Sequence, residues 1–140
     1  MIIPARTVLE EDPETFWDRF SEYSIRARLV SRGWFDPLLE VVTPQGVLYA
    51  FDRTLAPLNP GEQQVLLHAH LKAVQPASPG ASYFRYLPRG GYRFEGFARE
   101  ISSILSLFEC KEVRLLLAGP PLAGWVQVEL APPLMAFRQP

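Results

Sequence analysis

The segment Tyr83-Phe84-Arg85-Tyr86-Leu87-Pro88-Arg89-Gly90-Gly91-Tyr92-Arg93-Phe94 holds the densest recognition chemistry in the chain. Five of the seventeen aromatic residues and three of the fourteen basic ones fall here, with no acid, so its charge is wholly positive. Guanidinium groups beside aromatic rings stack on unpaired bases or anchor in the surface of a protein partner. With Leu87 to Gly91 as a turn, strand alternation puts Phe84 and Tyr86 on one face and Tyr83 and Arg85 on the other. Tyr92 and Phe94 return on one face, with Arg93 opposite. The Phe84/Tyr86/Tyr92/Phe94 face is expected to belong to the core, where these rings form cross-strand aromatic pairs. The arginine-bearing face supplies the candidate binding residues: Tyr83, Arg85, Arg89 and Arg93.

Other reactive side chains lack companions. His68 and His70 sit two residues apart, so on a strand they point the same way and could offer two ligands to a metal. No third ligand is visible, and Lys72 would repel a cation, so a solvated strand face is the expectation. An enzyme with an unfamiliar site near His68 and His70 remains the third functional alternative. Cys110, the single cysteine, excludes an internal disulfide and a cysteine-rich zinc site. It is expected to close a helix as a semi-buried structural thiol, since a helix C-terminus disfavours a thiolate. Ser102 and Ser103 have no nucleophile-elbow pattern around them. Pro88-Arg89-Gly90-Gly91 and Pro79-Gly80 match neither glycine-rich phosphate motif. No cofactor is called for. The acids Glu10, Glu11, Asp12 and Glu14 read as the negatively charged mouth of a helix.

Composition sets the frame for these residues. A chain of 140 residues is expected to be a single domain that needs no disulfide or metal to hold together. A hydrophobic fraction of 48% and a charged fraction of 21% exclude the disordered class. The net charge of −1 argues against a broad attraction to nucleic acid or anionic membrane. Twelve of the basic residues are arginine and only Lys72 and Lys111 are lysine. Arginine forms the planar, stacked contacts that suit recognition, although codon bias in a GC-rich genome explains the same excess. No apolar run reaches membrane-spanning length, and the first residues lack the apolar stretch of a signal peptide, so a cytoplasmic protein is expected.

The elements that must position the hairpin follow from pattern. Asp12-Pro13-Glu14-Thr15 predicts a helix start, with Asp12 as N-cap, and Phe16, Phe20 and Tyr23 continue it to about Tyr23. Residues 24–31 admit a helix or a strand, and the alternation of Ile25, Ala27 and Leu29 with Arg26 and Arg28 favours the strand. Leu38–Val42 and Val47–Phe51 read as strands around Thr43-Pro44-Gln45-Gly46. Asn59-Pro60-Gly61-Glu62 resembles a helix cap, but strict alternation over 64–74 favours a strand again. Gln75 to Gly80 is loop-like. Phe97, Ile101, Ile104, Leu105 and Phe108 form a helical stripe and predict a second helix from about Glu95 to Glu109. Val113–Leu117 and Trp125–Leu130 are expected to pair as a hairpin around residues 118–124, with an irregular tail from Pro132.

The expected fold is α+β: a mostly antiparallel sheet of about six to eight strands with two helices packed on it. The expected function is non-enzymatic, a protein-protein interaction or regulatory module that contacts its partner through the arginine/aromatic hairpin. A single-stranded nucleic-acid-binding protein using the same residues is the alternative. Self-association is compatible with either.

Overall fold

The computed structural model of the protein describes residues 12–33, 36–54 and 56–139. Glu10, Glu11 and the N-terminal residues read above for a signal peptide lie outside them. The chain opens with helix α1 (Pro13–Phe20), and Asp12 caps it as the sequence indicates. Its Oδ1 accepts the Thr15 N–H at 2.9 Å and its Oδ2 accepts the Thr15 hydroxyl at 2.8 Å. These bonds hold the Asp12 carboxyl below its ordinary pKa, the Thr15 amide contributing most. The helix tightens into a 3₁₀ turn at Ser21–Tyr23 and stops.

Nine strands follow: β1 (Ile25–Ser31), β2 (Leu38–Thr43), β3 (Gly46–Asp52), β4 (Gly61–Pro76), β5 (Tyr83–Tyr86), β6 (Tyr92–Ser102), β7 (Leu105–Cys110), β8 (Val113–Ala118) and β9 (Gly124–Arg138). The long strands β4 and β9 pair antiparallel from Val65↔Arg138 to Pro76↔Val126. Two closed rings share this ladder. One runs β1–β2–β3–β9–β4, the other β4–β8–β7–β6–β9. Each ring contains one parallel pairing, β3 with β9 and β4 with β8, so the sheet is mixed. Among the described residues, closure gives eight strands a ladder neighbour on each side over at least part of their length. Among the described residues, β5 alone has a single ladder neighbour, β6.

Burial divides along β4. Val65, Leu67, Ala69 and Leu71 enter a core that also takes Leu29, Val41, Leu48, Phe94, Phe108, Leu115 and Val128 from both rings. The opposite face of β4 carries Leu66, His68 and His70. There α1 lays Phe16, Trp17 and Phe20 against Leu66, Leu105, Leu107, Leu116, Met135 and Phe137. Burying each such side chain contributes roughly 1.5–3 kcal/mol, which is why so short a helix is held.

Several expectations are overturned. The domain is not α+β with two helices on an antiparallel sheet of six to eight strands; among the described residues it is a nine-stranded mixed sheet with one short α-helix. The stripe from Phe97 to Phe108 is not a helix but the β6/β7 hairpin, turning at Ser103 and Ile104. Glycine decides the matter at Gly96, where an added Cβ would lie 2.2 Å from the Glu109 carbonyl oxygen and 2.9 Å from Phe108 Cζ. Leu105 and Leu107 face α1 while Phe108 and Cys110 face the core, so β7 is apolar on both sides and lacks simple alternation. Cys110 therefore ends a strand rather than a helix, and Ser102 ends β6 at the turn. Val113–Ala118 does not pair with the last strand; β8 lies between β7 and β4. The tail from Pro132 is ordered strand. The ladder slips by two residues at Pro132-Pro133, where a bulge accommodates residues that cannot donate to it, and then continues to Arg138.

Candidate interaction surface

The hairpin expected from residues 83–94 is present. Strands β5 and β6 pair in the register Tyr83↔Glu95, Phe84↔Phe94, Arg85↔Arg93 and Tyr86↔Tyr92, around a 3₁₀ turn at Pro88–Gly90. Its inner face is an aromatic fastening. Phe84 stacks on Phe94 at 5.1 Å between centroids, and Tyr86 meets Tyr92 at 5.3 Å. Phe94 and Tyr92 are buried, Phe84 is half-buried, and Tyr86 is 53% exposed, so the inner rings grade from core to rim.

These rings tie the hairpin to β3. The Tyr92 hydroxyl oxygen accepts the Tyr49 N–H at 2.7 Å, and the Tyr86 hydroxyl donates to the Val47 carbonyl. Phe84 Cζ would lie 3.1 Å from a Cβ at Gly46, whose φ of +137° favours glycine in any case. Burial pushes the Tyr92 phenol up to about 12, against the weaker pull of its bond with Tyr49. The hairpin is thus fixed from behind before its outer face meets anything.

That outer face is organised in rows across β5, β6, β9 and β4. One row is Tyr83, Glu95, Gln127 and Gln75; the next is Arg85, Arg93, Glu129 and Ala73. The Tyr83 hydroxyl donates to Glu95 Oε1 at 3.0 Å, a bond that raises the phenol's pKa. Gln75 Nε2 donates to Gln127 Oε1 at 2.6 Å. Arg93 lies 3.6 Å from Glu129 Oε1, and both are about a quarter to a third exposed. Beside Arg93 a shallow depression of about 110 Å³ is lined by Ala73, Gln75, Gln127 and Glu129. Further along, Phe97 packs edge-on against Trp125 at 5.3 Å and stays 42% exposed.

Of the four candidate residues, Tyr83, Arg85 and Arg93 share this face. Arg85 is exposed and makes no ion pair among the described residues. Arg89 projects from the exposed tip with φ 69°, a left-handed conformation that costs a non-glycine residue about 1 kcal/mol or more. Sequence reasoning missed Glu95, Phe97, Trp125 and Glu129 as neighbours. The alternation of Val126 and Val128 with Gln127 and Glu129 puts the latter two on a common face, but nothing local reveals that β6 lies beside them.

The other candidate positions are buried. His68 and His70 do share a strand face, with ring centroids 5.2 Å apart, but that face is buried rather than solvated. Phe16 of α1 covers His68 at 4.9 Å, and His68 Nδ1 lies 2.9 Å from the Leu116 carbonyl, to which it donates. The Cys110 thiol is buried, which raises its pKa, and receives the Ser82 hydroxyl at 3.7 Å. Among the described residues no three His, Cys, Asp or Glu side chains gather to hold a metal, and no helix is long and apolar enough to cross a membrane. Comparison with models of known families, with curated proteins and with solved structures finds no match for this chain.

Proposed function

We propose that this protein is a non-enzymatic interaction module of the cytoplasm, which docks a protein partner on the outer face of the β5/β6 hairpin. One observation carries the reading: Arg85 stands exposed, with no acid paired to it among the described residues, on a hairpin locked from behind by four aromatic rings. Such a surface loses little conformational entropy on binding, because its scaffold is ordered beforehand. Tyr83, Arg85 and Arg93 offer the residue types that dominate interface energetics, and Phe97 with Trp125 adds apolar area on the same side.

Two features favour a protein partner over a nucleic acid. Glu95 and Glu129 share the rows of Tyr83 and Arg93, so phosphates would meet carboxylates there. The whole chain is also slightly acidic. His68 and His70 are both buried, with Phe16 of α1 against the His68 ring, so a reaction centred on them has less support. The test is recovery of cellular proteins by immobilised wild type against the Arg85→Ala/Arg89→Ala/Arg93→Ala variant. Selective loss of a reproducible partner supports the reading, and equal recovery by a folded variant overturns it.

A further inference from the structure

Ladder phase shows what the free edge of β5 offers. The Leu87 N–H donates to the Gly91 carbonyl at 2.8 Å, which makes these two a hydrogen-bonded pair. Antiparallel ladders alternate hydrogen-bonded with non-bonded pairs, so Arg85/Arg93 and Tyr83/Glu95 are the next bonded ones. The N–H and C=O groups of Phe84 and Tyr86 then turn away from β6, toward the side where no strand lies among the described residues. Among the described residues every other strand has a second ladder neighbour over at least part of its length. Among the described residues, β5 is thus the one strand without a second ladder neighbour anywhere along its length, and it carries Tyr83 and Arg85.

Charge selects what that edge accepts. Arg85 already faces Arg93 across the ladder, and like charges directly opposite are unfavourable. Arg93 has the Glu129 carboxylate; Arg85 has no acid among the described residues. A strand laid along the free edge would put its outward residues beside Tyr83 and Arg85 and its inward residues beside Phe84 and the exposed ring of Tyr86. The complementary strand is acidic on one face and apolar on the other. A second copy of β5 would instead bring arginine to arginine, the arrangement by which edge strands resist self-pairing.

We infer that the partner, on the reading proposed above, contributes an extended segment of alternating acidic and apolar residues that joins the sheet beside β5. Backbone hydrogen bonds to Phe84 and Tyr86 supply affinity and a carboxylate beside Arg85 supplies selectivity, as in other cases of strand addition. The segment is short, since β5 spans four residues.

A fluorescein-labelled hexapeptide of alternating glutamate and valine, with its lysine/valine counterpart, tests this on the full chain. Anisotropy should show binding of the glutamate peptide, at least about tenfold weaker binding of the lysine peptide, and the reverse order for Arg85→Glu. Hydrogen exchange by NMR should show new protection at the Phe84 and Tyr86 amides and no change at Tyr83 and Arg85, whose amides already bond to β6. Binding with shifts at Arg85 and Arg93 but without protection at Phe84 and Tyr86 overturns strand addition and leaves the interaction surface standing. Equal binding of the two peptides, or none of the glutamate peptide, overturns the inference. Partner recovery by the triple arginine variant then judges the broader reading separately.

Discussion

Arg85 stands directly opposite Arg93 across the β5/β6 ladder, and Arg93 in turn lies 3.6 Å from Glu129 on β9. Two guanidinium groups thus face each other, and of the two only Arg93 has a carboxylate partner among the described residues. Replacing Arg85 with glutamate converts the repulsive pair into an attractive one, so Arg85→Glu should raise stability by about 0.2–1 kcal/mol. The same change should weaken partner binding at least about tenfold. Thermal unfolding beside a binding assay checks both signs, and loss of stability would show that Arg85 serves the fold instead.

Gly96 distinguishes the two competing structures of residues 95–109. In a helix, Gly96→Ala would stabilise by about 0.5–1 kcal/mol. In the β6/β7 ladder its Cβ would collide with the Glu109 carbonyl at 2.2 Å, so destabilisation of about 2 kcal/mol or more is expected. Denaturant unfolding reads the sign directly.

The failure at this segment is instructive about what local pattern can and cannot carry. Asp12-Pro13 marked the start of α1, and alternation in β1 and β4 marked strands despite helical competitors, because each signal is local. The stripe from Phe97 to Phe108 arose by coincidence. Phe97 is exposed against Trp125, Ile104 sits in a turn, Leu105 faces α1 and Phe108 faces the core. Four different environments gave one helical period. Gly96 was the contrary signal, since glycine is unfavourable within a helix. The candidate surface was legible only within one hairpin. Tyr83, Arg85 and Arg93 could be grouped by alternation, whereas Glu129 and Trp125 joined them through the β6/β9 ladder, a pairing of high sequence separation.

Tyr92 predicts an alkaline transition. Its folded pKa of about 12 exceeds the ordinary value of 10.0, so the folded state holds the phenolic proton more tightly than the unfolded chain. That stability is fully present below pH 10.0 and is lost as pH rises toward about 12. The loss should total about 2–3 kcal/mol. Tyr92→Phe should flatten this decline while costing about 1–3 kcal/mol at neutral pH, because the part-buried Tyr49 amide loses its acceptor. Unfolding curves at a series of alkaline pH values test both parts.

Arg138 closes the chain against residues 52–57. It is 4% exposed, pairs with both oxygens of Asp52 at 3.2 and 3.1 Å, and donates to the carbonyls of Thr54, Ala56 and Pro57. Asp52→Ala would leave this guanidinium buried without its carboxylate and should destabilise by about 3 kcal/mol. An unfolding midpoint unchanged from wild type would contradict the structural role of β9's last turn of ladder.

The most direct measurement of the central claim is a calorimetric titration of the purified partner, once recovered, into wild type and into Arg85→Glu at matched salt. The account predicts a Kd weakened at least about tenfold by the substitution, with the variant as stable as wild type or more so. An unchanged Kd would contradict the assignment of the β5/β6 outer face as the contact surface.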